Sequence, residues 1–194
     1  MMARAVDMDI QVDRAQLAEV ERLLASVPGG VDRVMVTSVN STATTGRKRI
    51  VQELGKKLAL TQTRIRKDTT LRKAVRGHVA AVITIRGKRI MLIEFQARDT
   101  GRRGVTYRIE RGGKRARVAE GFIARSPRGT ELVWRRMGKP RLPIVPLRGP
   151  SIPAAFERAE AMQREVLEET AVLLERRIWQ KVNWLLEKRA GAVA

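Results

Sequence analysis

The chain has 194 residues, of which 40 are lysine or arginine and 20 are aspartate or glutamate, so its net charge is +20 at pH 7. It contains no cysteine and a single histidine, which excludes disulfides, thiolate metal sites and metal sites built from several histidines. Apolar residues make up 43% of the chain, enough for a folded core, and the strong positive charge favours a polyanionic partner, most commonly nucleic acid.

The positive charge lies in the middle of the chain. Residues 45–150 carry a net charge of +22, whereas residues 1–44 carry −2 and residues 151–194 carry zero. We therefore expect the cationic side chains to gather on one face or in one lumen, and the C-terminal part to contact protein. No apolar run is long enough to span a membrane, and the first residues lack the apolar core of a signal peptide. The absence of cysteine fits a protein that works in a reducing compartment.

Helical patterns occupy the first third of the chain. The first helix is predicted from Asp13 to Val27, because apolar residues recur at helical spacing and its first residue is a suitable N-cap. The second is predicted from Val31 to Leu60. Its small-residue middle, SVNSTATTG, suits close packing against another helix, although Gly46 lowers the helix propensity. A shorter basic helix is predicted from Thr61 to Ala74.

The pattern changes to short strands after Gly77. HVAAVITIRGKRIMLIEF predicts two strands joined at Gly87–Lys88, and GVTYRIERGGKRARVAEGFIAR predicts two more around Gly112–Gly113. TELVWRRM predicts a fifth strand. Arginines alternate with apolar residues in this region, so one face of the sheet is expected to be cationic and the other packed. The predicted fold class is α+β, with N-terminal helices, an antiparallel meander-like sheet of about five strands and a long C-terminal helix.

The stretch KPRLPIVPLRGPSIPAAF connects these strands to the last helix, and it holds five of the seven prolines. Each proline restricts φ and removes a backbone donor, so the stretch is predicted to be an extended strap that lies on the core or on a neighbour. We expect it to orient the C-terminal helix, with a bend at its glycine. The residues assigned to this role are Pro143, Pro146, Gly149 and Pro150. A ligand for an SH3-like partner is the alternative.

A helix of about 38 residues is predicted from Ser151 onward, with an apolar stripe at a period close to 3.6. The stripe is longer than a small sheet can cover, so part of it is expected to contact another chain. The residues assigned to this oligomer contact are Val166, Thr170, Leu174, Ile178, Val182 and Leu185. The predicted division of the chain is an N-terminal helical segment 1–30, a basic helix-plus-sheet domain 31–150 and a long C-terminal helix 151–194.

Three common enzyme motifs are absent from the sequence. It has no Walker A loop, GxGxxG or GxSxG, and His78 opens a predicted strand without a placed serine or aspartate. Glu94–Gln96 has the Glu-x-Gln ending found in some metal-dependent nucleases, but the nearest upstream carboxylate is the distant Asp68. We therefore expect Glu94 to pair with an arginine. We assign no catalytic residue, metal or cofactor.

The basic segment TRIRKDTTLRKAVRG is open to three interpretations: a DNA-binding helix, a solvated face, or a surface that contacts an acidic protein ring. Sequence-specific binding needs a docking unit that cannot be constructed here, and the aromatic residues are too few to stack single strands. The residues assigned to electrostatic contact with DNA or a partner are Arg47, Lys48, Arg49, Lys56, Lys57, Arg64, Arg66, Lys67, Arg72, Lys73, Arg115 and Arg117.

Three parts of the sequence together resemble the minor tail protein Z family of long-tailed bacteriophages, also called tail completion proteins. The first is SVNSTATTGRKRIVQELGKKLAL, which includes Asn40. The second is TRIRKDTTLRKAVRG, followed by a β-rich Arg/Gly region that includes EGFIAR. The third is RLPI, then GPSIP and AF, leading into a charged helix. The resemblance covers residues 31–188 and leaves the role of residues 1–30 open.

The resemblance implies a structural virion protein without enzymatic activity at the head-proximal end of the tail, where the tail is completed and joined to the head. It implies other tail or neck proteins as partners, namely the tail terminator, the tail tube or the head-closure ring. It also implies assembly in the host bacterial cytoplasm and a homo-oligomer, with a six-fold ring as the first choice. Contact with phage DNA would be non-specific. The alternative is a sequence-independent nucleic-acid-binding protein.

Overall fold

The computed structural model describes residues 4–193 of the chain and the side chains of residues 5–191. The elements in chain order are β1 (Arg4–Gln11), α1 (Arg14–Leu23), α2 (Gly30–Lys57), α3 (Gln62–Lys67), β2 (Thr69–Arg72), β3 (Ala80–Gly87), β4 (Arg98–Asp99), β5 (Val105–Tyr107), β6 (Ala116–Val118), β7 (Gly121–Arg125), β8 (Glu131–Arg136), β9 (Ile144–Pro146), α4 (Ile152–Glu157) and α5 (Glu160–Val193). Two short 3-10 helices, Leu92–Glu94 and Gly101–Arg103, lie between them.

The chain divides into two compact units. Unit 1 is formed chiefly by residues 51–68 and 86–158, and unit 2 by residues 6–50, 69–85 and 159–193. Each unit is therefore built from segments that are far apart in the sequence. The division into 1–30, 31–150 and 151–194 stays a prediction.

Unit 2 combines a three-stranded sheet with long helices. The strand order is β1-β3-β2, and β2 pairs antiparallel to β3 with Thr69 opposite Ile85. Helix α1 begins at an N-cap formed by Asp13, whose carboxylate accepts a hydrogen bond from the Ala15 backbone at 3.2 Å. Helices α1 and α2 confirm the first two predicted helices.

Helices α2 and α5 run antiparallel and pack closely within unit 2. Arg49 on α2 pairs with Glu169 at 3.1 Å, and four residues earlier Thr45 accepts a hydrogen bond from Arg177 at 3.1 Å. At Gly46 an added Cβ would lie 3.3 Å from the Thr170 hydroxyl. The small-residue run in α2 therefore packs against a second helix, as the sequence predicts.

Unit 1 contains two small antiparallel sheets. One has the strand order β4-β5-β6 and the other β7-β8-β9. The hairpin β5–β6 confirms the prediction of paired strands around Gly112–Gly113, and β7–β8 confirms the strands on either side of the SPRG turn. The prediction of one meander of about five strands is wrong, because the strands belong to three separate three-stranded sheets.

The predicted basic helix ends earlier than expected. Helix α3 stops at Lys67, and Thr69–Arg72 form strand β2 against β3. Two consecutive β-branched threonines favour the extended conformation once a partner strand is available. The backbone N–H of Arg86 also donates to the Asp68 carbonyl at 2.8 Å, which continues the pairing toward α3.

The prediction of a strand after Gly87 that pairs with β3 is also wrong. The residues after Gly87 pair instead with the proline-rich stretch. The Leu92 N–H donates to the Leu147 carbonyl at 3.0 Å, and the Gly149 N–H donates to the Ile90 carbonyl at 2.8 Å. The following residues, Leu92–Glu94, turn into a 3-10 helix. The interactions that decide this conformation come from nearly sixty residues away and have no local signal.

The long C-terminal helix is interrupted near its start. Ser151 is the N-cap, and its hydroxyl accepts from the Ala154 N–H at 3.4 Å, as predicted. Helix α4 nevertheless ends at Glu157, and α5 begins at Glu160. The residues between them, Arg158 and Ala159, are good helix formers, so their sequence does not indicate a break.

Gly149 permits close packing against Phe95, and the bend expected at this glycine stays a prediction. Its φ is not positive, and an added Cβ would lie 2.5 Å from the ring of Phe95, which is fully buried. We expect Gly149→Ala to destabilise the protein by about 1–3 kcal/mol through overpacking. Gly112→Ala is a suitable control, since an added Cβ there meets no atom within 4 Å. Equal unfolding free energies of the two variants in a urea titration would contradict this packing.

Candidate functional site

The positive charge is concentrated in unit 1. Residues 51–68 and 86–158 contain 24 basic and 8 acidic residues, a net charge of +16, whereas the segments of unit 2 contain 15 and 12, a net charge of +3. A unit with that excess repels copies of itself and attracts anionic surfaces. The charged surface of unit 1 is therefore the surface best suited to bind an anionic partner.

Five of the twelve predicted contact residues are engaged in interactions within the chain: Arg47, Arg49, Lys56, Arg64 and Arg115. Arg47 donates to the Thr69 carbonyl at 2.8 Å, and Arg49 pairs with Glu165 and Glu169 of α5. These two arginines tie α2 to its neighbours in unit 2. Their contribution is structural, which the pattern of basic residues alone does not reveal.

Arg64 links two carboxylates in unit 1. Its guanidinium lies 3.0 Å from Asp68 and 2.9 Å from Glu94. The expectation that Glu94 pairs with an arginine is confirmed. Among the described residues, no group of three or more acidic, histidine or cysteine side chains is placed to hold a metal ion.

Arg115 is held among backbone acceptors and other arginines. Its guanidinium donates to the Gln96 carbonyl at 2.6 Å and to the Thr106 carbonyl at 3.1 Å. Burial lowers the pKa of Arg115, and the charges of Arg98 and Arg108 lower it further. The group stays protonated at neutral pH, so three positive charges lie close together on this part of unit 1.

The remaining seven predicted contact residues are exposed, and they are divided between the units. Three belong to unit 2: Lys48, Arg72 and Lys73. Four belong to unit 1: Lys57, Arg66, Lys67 and Arg117. Arg117 also lines a cleft in unit 1.

The cleft in unit 1 has a volume of about 990 Å³. Six basic residues line it: Lys88, Arg89, Arg117, Arg135, Arg148 and Arg158. Among the described residues that line it, none is acidic. All six cationic side chains are exposed to solvent, so their charges are available to an occupant of the cleft. We call this site the cationic cleft.

The walls of the cationic cleft come from distant parts of unit 1. Arg117 lies on β6, Arg135 on β8, and Arg148 in the stretch after β9. Arg89 connects two walls, since its guanidinium donates to the Gly149 carbonyl at 3.2 Å and to the Arg148 carbonyl at 3.4 Å. Of the six cations only Arg117 was predicted as a contact residue, because the others come together only in the fold.

Apolar side chains complete the lining of the cationic cleft. They are Leu92, Ile109, Val118 and Leu147, together with the ring of Tyr107. Leu92 is buried, and the other four are partly exposed. The cleft thus combines charged side chains with an apolar lining, a combination typical of sites that take a ligand with both kinds of group.

Comparison with known families decides the classification. Residues 12–188 match the family described as prophage minor tail protein Z (GPZ). The chain belongs to the minor tail protein Z family. Neither a curated protein nor a solved structure shows significant similarity to it.

Membership of the minor tail protein Z family makes this a phage tail protein with a structural role and a place in the virion. The match begins at residue 12, so it includes α1 and extends beyond the predicted resemblance from residue 31. In the described part of the chain no helix is long and apolar enough to cross a membrane.

Asn40, in the first stretch that resembles the minor tail protein Z family, has a defined structural role. Its amide nitrogen donates to the Ala74 carbonyl at 2.9 Å, and its amide oxygen accepts from the Ala74 N–H at 2.7 Å. One side chain therefore satisfies both backbone groups of a residue that is only 3% exposed. This clamp holds the segment after β2 on α2.

The residues predicted for the oligomer contact of this minor tail protein are buried within unit 2. Val166, Thr170, Leu174, Ile178, Val182 and Leu185 are at most 7% exposed. The premise that the chain cannot cover its own apolar stripe is wrong, since α2 packs along α5. A role for α5 in oligomerisation stays a prediction, and the exposed apolar residues on it are Leu167, Val172 and Trp184.

Several of the residues predicted for the strap take part in backbone pairing with other segments of unit 1. Pro146 belongs to β9, an edge strand paired with β8, and Gly149 and Pro150 pair with Ile90. An edge position is where a strand tolerates proline. Leu142 is 66% exposed, so it does not lie on the core of its own chain, and its packing on a neighbour stays a prediction. The orienting role of Pro143, Pro146, Gly149 and Pro150 stays a prediction.

Proposed function

We propose that this minor tail protein completes the tail at its head-proximal end and takes part in joining the tail to the head. The observation that carries the proposal is the family match over residues 12–188. The concentration of charge in unit 1 supports it, because a cationic surface suits a junction beside packaged DNA or an acidic protein ring. In this role the protein acts by binding and has no catalytic activity.

The partners of such a protein are the tail terminator, the tail tube or the head-closure ring. The protein would assemble as a closed ring of identical subunits, six-fold by preference. The protein would assemble in the host bacterial cytoplasm and remain in the virion. Contacts between subunits would use exposed surfaces, since the stripe on α5 is already covered within the chain.

Binding to nucleic acid is the second candidate function, favoured by the net charge of +20. We expect the purified protein to bind unrelated DNA duplexes with similar affinity, because lysine and arginine contact phosphates without reading bases. If about six phosphates are contacted, affinity should fall roughly a thousandfold or more between 50 and 200 mM salt. Fluorescence anisotropy on several duplexes at increasing salt concentrations measures both properties. A marked preference for one sequence that persists at high salt would contradict this expectation.

The location of the protein in the particle tests the proposed function. Purified virions can be labelled with antibodies against the protein and imaged by electron microscopy. We expect label at the tail end nearest the head, and label along the tail or at its distal tip would refute the proposal. Particles from phage lacking the gene control for non-specific labelling.

A further inference from the structure

We infer that the cationic cleft binds an extended acidic segment of another tail or neck protein, with apolar side chains of that segment on its lining and carboxylates against its cations. The inference rests on the proposed function for the identity of the partner as a virion component. It deepens that function by naming the chemistry of the contact and the residues that make it.

The positive charges of the cleft favour a negatively charged occupant. Six cations share one concave site, and among the described lining residues no carboxylate compensates them. A negative group bound in the cleft would reduce their mutual repulsion, and unit 1 as a whole carries a large positive excess. An acidic partner is therefore both attracted to the cleft and oriented by it.

The apolar lining favours a protein segment over DNA. Leu92, Val118 and Leu147 line the same space as the cations. A duplex presents phosphates and sugars, which gain nothing from these side chains. An extended peptide directs successive side chains to opposite sides, so one set can contact the apolar lining while the other faces the cations.

The size of the cleft agrees with this occupant. Its volume of about 990 Å³ accommodates several residues of an extended chain.

An edge strand lies at the cleft. Arg117 and Val118 line it, and they belong to β6, which is at the edge of the order β4-β5-β6. An edge strand offers backbone groups to an added strand, a common way to bind an extended peptide. The backbone of β6 can therefore hold the segment in register while the cations select for acidic residues.

Two triple variants with the same change in net charge test the inference. Lys88→Glu, Arg117→Glu and Arg158→Glu together reverse three cations of the cleft. Arg102→Glu, Arg128→Glu and Arg141→Glu together reverse three exposed cations of unit 1 that do not line it.

The probes are a short labelled peptide alternating acidic and apolar residues, the same peptide with serine at the apolar positions, and a labelled DNA duplex. Circular dichroism checks that each variant is folded, and Arg117→Gln with Arg158→Gln replaces the cleft variant if it is not.

We expect the cleft variant to bind the acidic–apolar peptide at least about tenfold more weakly than the wild type, and the control variant to stay within about threefold. The wild type should bind the serine peptide about tenfold more weakly as well. Equal losses in the two triple variants, or no loss in the cleft variant, would overturn the inference. A cleft-dependent loss seen with the duplex and not with the peptide would assign the cleft to nucleic acid instead.

These outcomes are independent of those that test the proposed function. Antibody label away from the head-proximal end, combined with cleft-dependent peptide binding, would refute the tail-completion role and leave the chemistry of the cleft intact. Label at that end without cleft-dependent binding would support the role and refute the cleft assignment.

Discussion

Replacing Leu174 and Ile178 together with aspartate should unfold unit 2. The two side chains are 5% and 0% exposed and lie on the face of α5 that packs within this unit. Burying an unpaired carboxylate costs several kcal/mol at each site, which together approaches the whole stability of a typical domain. Circular dichroism and denaturant titration measure the effect, and we expect loss of the cooperative transition at room temperature.

A matched control for this double variant is available on the same helix. Leu167 and Val172 are 45% and 66% exposed, so Leu167→Asp with Val172→Asp should change stability by less than about 1 kcal/mol. If the Leu174 and Ile178 variant instead folded with normal stability and failed only to assemble, the stripe would be an intermolecular interface. That result would contradict the packing of α5 described above.

The second large effect is expected at Asn40. Asn40→Ala removes both hydrogen bonds to Ala74, so the backbone N–H and carbonyl of Ala74 lose their partners. Leaving a buried polar group unpaired costs about 1–3 kcal/mol for each group. We therefore expect a loss of about 2–5 kcal/mol in the free energy of unfolding, measured by urea titration. Asn40→Asp retains the acceptor and loses the donor at neutral pH, and protonation of the carboxylate in acid should restore part of the stability.

Thr44→Ala serves as the control for Asn40. The Thr44 hydroxyl donates to the Asn40 carbonyl at 2.8 Å on the exposed side of α2, so its loss should cost no more than about 0.5 kcal/mol. If Asn40→Ala were no more destabilising than Thr44→Ala, the clamp on Ala74 would not contribute to the fold.

Elements with strong local signals were predictable from the sequence. Helix α1 has a capping aspartate and regular apolar spacing, and the β5–β6 hairpin has a glycine pair between alternating strands. The N-terminal strand β1 was missed although its signal is present. Val6, Met8 and Ile10 alternate with the exposed Asp7 and Asp9, which is the period of a half-buried strand.

Features that depend on distant contacts were not predictable. Ile90 and Leu92 have the composition of a strand, yet their partners are Gly149 and Leu147, and no local pattern shows which of two pairings is favoured. The break between α4 and α5 occurs in residues with high helix propensity. At Ile90 and Leu92 the distant partners override the local preference, whereas nothing in the structure explains the break between α4 and α5.

The positive charge of the candidate site was predictable from the sequence, but the residues that form the site were not. The excess of lysine and arginine in residues 45–150 indicated a cationic surface. The sequence alone did not show that Arg49 has a structural role, in which it pairs with a glutamate of α5, whereas Arg117 lines the cleft. The cations that line the cleft come from five separate places in the sequence, so only the fold brings them together.

Electron microscopy of particles from a phage that lacks this gene tests the central claim most directly. We expect filled heads and separate or improperly joined tails, few infectious particles, and recovery of infectivity when the wild-type gene is supplied in trans. Morphologically normal and fully infectious particles from the deletion phage would contradict a role in completing the tail and joining it to the head.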